Sequence, residues 1–486
     1  MSWVSLSVCG RNARLYKRME LILKLQKFSL AALTLAGLTF LTACGGGGGG
    51  DVSGASVPDA TVAQVPVTSS SPSLQTGSST AATPSVKEVS SVNLSDATVA
   101  RVPVTSSSPS VKDGPNYPFG SHLTPYVAGI KPTSASQASQ DALIRKQYDY
   151  WKSQIQARCG GYIVAFYDGS ATVSEGAGYG MLLSVLMAGY DKGAKDLFDG
   201  LFKVVRSRPA YGLGEKALME WKISGDCGSG GGGWNAMDGD LDIAMALLMA
   251  HKQWGSAGTV DYRKEAIATI EAMKRWNFSP DGTTRGGPVT HLSRTSDYMI
   301  THFKAFKRAT NDPFWDKATN RAFELFDHIQ NNLAPATKLI PDFLIYTDSA
   351  YPQADNLHIG DGSPNSDAYF WNGCRIPWRL ASDYVTSGDE RSKVVTSKLM
   401  DFFNNSTGGK PGQIQAGYKL DGTSLSSFQS TAFIGPATAG AMVDAKFQPF
   451  LNSLWTFSSD NLAQGYYGTE LQLLSLIVAS GNWWNP

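Results

Sequence analysis

The sequence predicts an all-α fold, a ring of six helical hairpins spanning residues 121–486. Three observations carry this. Apolar residues recur at helical spacing, as in ALIRKQYDYWKSQI, KDLFDGLFKVV and RKEAIATIEAMKRW. Strand-like alternation is scarce. Long loops rich in Gly, Asp, Asn, Trp and Tyr, at 208–238, 276–296, 340–374 and 405–433, separate every second pair of helical segments. The spacing gives about twelve helices, near 139–157, 177–190, 193–206, 240–254, 261–275, 297–309, 312–332, 375–386, 390–404, 434–444, 445–457 and 467–481. Hairpins paired in this way close into a ring whose long loops collect at one end as a cleft.

The first 120 residues have a different composition. Residues 1–44 form a leader, in which KLQKFSLAALTLAGLTFLTAC (24–44) has the basic start, short apolar run and small-residue exit of an export signal; Met19 fits as initiator better than Met1. The apolar run is too short to span a bilayer comfortably. LTAC followed by Gly45 resembles the lipobox of bacterial lipoproteins, which implies a lipid on Cys44; the alternative is a soluble secreted protein cut nearby. The expected location is the bacterial cell envelope, at the outer membrane, or the medium. Residues 45–120, rich in Gly, Ser, Thr, Val and Pro, cannot bury enough apolar surface to fold and read as a tether. Within them DATVAQVPVTSSSPS (59–73) recurs as DATVARVPVTSSSPS (96–110), a duplicated spacer.

Forty-two basic and forty-one acidic side chains give a net charge of +1, which excludes a strong field for nucleic acid and leaves lipid on Cys44 as the expected membrane contact. A neutral ligand and a monomer fit better. Twelve Trp in a chain that is 11% aromatic exceed what a core needs, so some are expected at a binding surface. Cys9 and Cys44 belong to the leader, and Cys159, Cys227 and Cys374 lack metal-ligand spacing; an exported chain could join two of the three, with the pair left open. His291 and His302 likewise lack metal spacing and read as structural.

Two acidic stretches stand out. SEGAGYGMLLSVLMAG (174–189) sets Glu175 among small residues that would let backbone approach a ligand, and a helix-capping carboxylate is the plainer reading. In WNAMDGDLDIAMALLMAHKQW (234–254), Asp238 and Asp242 share a helix face and Asp240 points elsewhere. A calcium loop fails because Ile243 and Met249 stand where Gly and Glu are required. The glycine run at 228–233 lacks the Lys-Ser/Thr ending of a phosphate cradle.

SEGAGYGM, MDGDLDIAMALLMAHKQW, CRIPWRLASDY, FIGPATAGAM and YYGTELQLLSLIVASGNWWNP, in this order across 140–486, resemble glycoside hydrolase family 8. The resemblance implies an (α/α)6 barrel and an inverting, endo-acting, cofactor-free hydrolase of β-1,4-linked polysaccharide. Cellulose-like glucan is the first expectation, with chitosan or mixed-linkage glucan as alternatives. It implies Glu175 as general acid and Asp238 as the carboxylate holding the sugar at the cleavage point. A Glu against apolar helix would keep the proton it must donate.

The base is less direct. Many members place an Asp three residues before the Arg matching Arg375, where this chain has Asn372; an amide cannot be a base. A subgroup sharing this Asn takes a Glu from an insertion just upstream, matching IGDGSPNSDAYFWN (359–372). That stretch has no Glu, so Asp361, by register, and then Asp367 are the candidates; ordinary turn aspartates are the competing reading. Expected sugar contacts are Tyr179, Trp221, Trp234, Asp297, Asp367, Trp371, Asn372 and Arg375, with Tyr369 and Trp378 beside them and about half of the aromatic residues serving as packing. Loss of the Asp at 372 also raises a reading of another class, a catalytically inactive glycan-binding lipoprotein.

Overall fold

Six helices, buried on nearly every face, stand side by side in a closed ring, with a second helix packed outside each of them. This is a computed structural model describing residues 114–286 and 291–486. In chain order the hairpins are α1 (Gln137–Ser153) with α2 (Ser174–Leu186), α3 (Ala194–Ser207) with α4 (Met237–Trp254), and α5 (Tyr262–Asn277) with α6 (Ile300–Thr310). Next come α7 (Phe314–His328) with α8 (Ile376–Ser387), α9 (Glu390–Thr407) with α10 (Thr431–Gly440), and α11 (Gln448–Asp460) with α12 (Tyr467–Ala479). The even-numbered helices form the inner ring, each touching the next and α12 closing on α2. This is an (α/α)6 barrel.

Sequence pattern separates the layers. Outer α3 buries Leu197, Phe198, Leu201, Phe202, Val204 and Val205 on one stripe, whereas inner α12 is buried at every position from Thr469 to Ala479. Outer helices carry ordinary signals, with Ser136, Asp261 and Asp389 capping α1, α5 and α9 and Gly408 in the left-handed conformation ending α9. Inner α2, α4 and α12 have no side-chain N-cap. This is why α2 and α4 start three residues earlier than the apolar spacing indicates: their first turns are Ser-Glu-Gly and Met-Asp-Gly.

Gly239 of α4 and Gly178 of α2 set how closely the two helices pack. A Cβ on Gly239 would sit 2.5 Å from Ser174 of α2, and one on Gly178 would sit 2.8 Å from the Asp242 side chain and 3.0 Å from the Gly239 carbonyl. Only glycine lets α2 and α4 approach this closely. In SEGAGYG the close approach comes from a neighbouring helix, not from a ligand as the spacing had suggested.

The loops preceding the inner helices carry short antiparallel strands. β1 (Ile155–Arg158) pairs with β2 (Gly161–Val164), β3 (Thr172–Val173) with β6 (Lys222–Ile223), and β4 (Pro209–Ala210) with β5 (Glu215–Met219). The fourth sheet orders β7 (Ser293–Arg294), β8 (Phe343–Ile345) and β9 (Gln353–Ala354), setting Arg294 opposite Phe343. A disulfide joins Cys159 in the β1–β2 turn to Cys227, resolving the open pairing, and Cys374 is a buried thiol.

The leader, Cys44, the duplicated spacer and most of the expected tether lie outside the described residues. The domain begins before residue 121, however. Asn116 N–H donates to the Gln253 carbonyl (3.2 Å), Phe119 N–H to the Ala188 carbonyl (2.7 Å) and Gly120 N–H to Asn482, while Tyr117 stacks on Trp484 at 4.4 Å. These partners lie beyond or near the C-terminal ends of α4, α2 and α12, at the base of the ring. Pro, Gly and Asn around Tyr117 and Phe119 hid two aromatic anchors.

Candidate active site

The N-terminal ends of the inner helices face one end of the barrel, where the loops enclose a cleft of about 650 Å³. Glu175 and Asp238 open into it from the first turns of α2 and α4. Between them lies Arg375, whose Nη1 donates to Glu175 Oε2 (2.5 Å) and Asp238 Oδ2 (2.7 Å). Its Nη2 donates to Ser296 Oγ (2.7 Å) and Asn372 Oδ1 (2.8 Å), so the guanidinium is fixed on all sides.

The two carboxylates are driven apart electrostatically. Burial raises Glu175 to about 7 against the opposing pull of Arg375, and the Tyr466 hydroxyl donates to Oε1 at 2.8 Å. Burial would also raise Asp238. Arg294 (Nη2 to Oδ1, 2.7 Å) and Arg375 outweigh it and hold Asp238 well below the usual carboxylate range. A carboxyl whose pKa is raised thus stands beside one whose pKa is held low, the pattern that separates acid from anion in one site.

A second acidic wall comes from the loop preceding α8. Asp361 is solvent-exposed and lines the cleft, its Oδ1 accepting from Ser363 N–H (2.9 Å) and its Oδ2 from Asn372 Nδ2 (3.3 Å). Asn372 Nδ2 donates also to Asp342 Oδ2 at 3.1 Å. Asp342 is buried, accepts the backbone N–H groups of Phe370, Asn372 and Gly373, and is raised by burial to about 6. Asn372 is therefore locked: its oxygen receives Arg375 and its nitrogen serves two carboxylates.

Aromatic faces complete the cleft. Trp371 and Trp221 line it with Phe166, Tyr167 and Tyr466, and Phe166 stacks on Tyr167 at 4.3 Å. Trp221 is held at the mouth by backbone bonds in both directions, its carbonyl accepting Ser174 N–H and its N–H reaching the Trp234 carbonyl, each 2.8 Å. Three donors of the run 228–233 turn inward to one carboxyl oxygen: Gly231 and Gly233 N–H and the Ser229 hydroxyl all reach Glu220 Oε1, between 2.5 and 2.9 Å. Among the described residues no cluster of His, Cys, Asp and Glu is placed to hold a metal.

Residues 131–481 match glycosyl hydrolases family 8. The chain belongs to that family. The beta-glucanase of Niallia circulans is 35% identical over 379 residues, 76% of this chain and 92% of that protein. The endoglucanase of Bacillus sp. (strain KSM-330) is 34% identical over 74% of this chain and 80% of its own length. A beta-1,3-1,4-glucanase structure from Paenibacillus sp. X4 superposes with a TM-score of 0.72 at 35% identity, covering 76% of this chain and all of that one. A family 8 xylanase from Teredinibacter turnerae, 21% identical with a TM-score of 0.60 over 72% of this chain and 94% of that one, shares the fold.

As a family 8 glycoside hydrolase, the chain gathers Glu175, Asp238, Asp361, Trp221, Trp371 and Asn372 in one cleft. Other expected contacts lie elsewhere. Tyr179 is fully buried, one turn below Glu175, packed edge-on against the buried Trp378 at 6.0 Å; Tyr369 is also fully buried. Arg375 is fully buried and positions carboxylates rather than lining the cleft. Asp297 is buried behind Arg294, which donates to it at 2.9 Å, and burial raises its pKa. Asp367 and the part-exposed Trp234 do not line the cleft.

Asp240 and Asp242 are internal too. Asp242 receives both Nη atoms of Arg379 (2.7 and 2.5 Å) and faces His302 Nε2 at 2.9 Å, whereas Asp240 accepts from Met219 N–H and Asn235. His302 is thus the structural histidine expected. Sequence reading missed Arg294, Asp342, Ser296 and Tyr466. Of these only Tyr466 lies in one of the five blocks, as the first Tyr of YYGTEL.

Proposed function

We propose that this glycoside hydrolase is an inverting endo-β-glucanase, with Glu175 as acid, Asp361 as base and Asp238 as the anion beneath the reacting sugar. Glu175 gives its proton to the glycosidic oxygen as the C1–O bond breaks. A water attacks C1 from the opposite face, and Asp361 takes that water's proton, so product leaves with the configuration at C1 reversed. Asp238, held ionised by Arg294 and Arg375, stabilises the positive charge developing on the ring. The observation that carries the reading is Glu175, its pKa raised by burial, paired through one guanidinium with Asp238, whose pKa is held low, in a cleft that also holds Asp361.

The beta-glucanase and endoglucanase names of the relatives support a glucan substrate. Burial of Asp240, Asp242 and Asp297 argues against chitosan, because these carboxylates are withdrawn from any role as subsites for glucosamine ammonium groups. Mixed-linkage β-1,3-1,4-glucan is the second reading, favoured by the Paenibacillus enzyme's name. The test incubates the enzyme with carboxymethylcellulose, mixed-linkage glucan and chitosan and follows viscosity, reducing ends and the first-formed anomer by NMR. An early viscosity drop with initial α-anomer on a glucan is expected. Initial β-anomer, or undiminished release by Glu175→Gln, refutes the assignment.

Export and lipidation at Cys44 complete the proposal, supported by the leader's pattern and by the Cys159–Cys227 disulfide, a bond that persists in oxidising compartments. Cell fractionation tests it: Cys44→Ser should move the protein from membrane to soluble fractions.

A further inference from the structure

Three large aromatic side chains lie exposed outside the cleft on segments bonded to one another: Tyr211 (67% exposed), Trp234 (37%) and Trp276 (42%). Their backbones are tied into one patch. Gly212 N–H donates to the Gly233 carbonyl at 2.7 Å, and a Cβ on Gly212 would lie 3.4 Å from the Trp234 indole. Asn235 Nδ2 donates to Asn277 Oδ1 at 3.0 Å, linking the residues that follow Trp234 and Trp276. Glu215, on the strand after Tyr211, accepts Arg275 Nη2 at 2.8 Å, and the Trp276 indole lies against the same carboxylate.

The patch is continuous with the cleft. Trp221, which lines the cleft, bonds the Trp234 carbonyl, and the Glu220-centred glycine loop holds both tryptophans. We propose that Tyr211, Trp234 and Trp276 form an external track that binds a β-glucan strand as it leaves the cleft past Trp221. This rests on the glucanase reading given above. Pyranose rings present C–H faces that stack on flat aromatic surfaces, and Glu215 and the half-exposed Arg275 supply hydrogen-bonding groups along the edge. Because a 3-10 turn, a hydrogen-bonded loop and a helix end hold these rings, a glucan strand binds with little ordering of side chains.

The track predicts a length-dependent effect. Tyr211→Ala/Trp276→Ala in the full chain should raise KM on polymeric mixed-linkage glucan about tenfold, while kcat/KM on a β-1,4-glucan tetrasaccharide confined to the cleft stays within about twofold. Tyr211→Phe/Trp276→Phe, which keeps both aromatic faces, should recover most of the polymer KM. An unchanged polymer KM, or an equal loss on both substrates, overturns the track and leaves the glucanase assignment standing. Absence of hydrolysis of either glucan by the unaltered enzyme overturns both.

Discussion

Replacing Tyr466 by Phe isolates one of the forces acting on Glu175. The hydroxyl donates to Oε1 at 2.8 Å, stabilising the carboxylate and drawing its pKa down, against burial, which raises it to about 7. A hydrogen bond to a charged acceptor contributes about 1.5–3 kcal/mol, roughly twice its neutral counterpart. The difference between the two protonation states is then about 0.8–1.5 kcal/mol, or about 0.5–1 pKa unit at about 1.4 kcal/mol per unit. Glu175 acts protonated, so activity declines as pH rises through its pKa. In Tyr466→Phe the alkaline limb of kcat/KM should therefore move upward, toward 8, even if the plateau falls. The assay is initial-rate hydrolysis of soluble glucan from pH 5 to 9, each enzyme scaled to its own plateau. An alkaline limb that stays in place or moves to lower pH would refute the assignment of that limb to Glu175.

Three further outcomes follow from the geometry. Asp361→Asn should lower kcat by about 10²–10⁴ with KM little changed, whereas Asp367→Asn, outside the cleft, should stay within a few-fold; steady-state kinetics of both variants decides, and similar small effects would remove the base assignment. Burial raises Asp240 from 3.8 to about 7, so its contribution to stability is complete below pH 4 and is lost as pH rises through 7, about 4 kcal/mol in all. Asp240→Asn cannot ionise, and the Tm difference between parent and variant should shift in the variant's favour from pH 4.5 to pH 8. Gly239→Ala forces a methyl against Ser174 and should cost about 1–3 kcal/mol in denaturant titration, with a loss of kcat because Glu175 and Asp238 separate.

Periodicity made the helices legible because each outer helix must bury one stripe, and residues such as Leu197, Leu201 and Val205 record it. The starts of α2 and α4 were harder to place. Their first turns hold Ser, Gly and Asp for reasons of helix crossing and catalysis, so local pattern reads them as loop. Glu175 and Asp238 were legible through motifs that hold their glycine neighbours. Arg294 and Asp342 were not, because one sits in a two-residue strand and the other just before a three-residue strand, both too short for periodicity, and each acquires its place only when β7 pairs with β8, where Arg294 lies opposite Phe343, forty-nine residues further on. Tyr179 was misjudged for a related reason: four residues after Glu175 on one helix face, it lies one turn deeper, inside the ring.

The chain enters the domain at its base. Residues 116–120 bond near the C-terminal ends of α2, α4 and α12, while the cleft opens where those helices begin. Residues 116–120 therefore add no wall to the cleft: all of its lining comes from Phe166 onward, and the strap they form braces the opposite end of the ring.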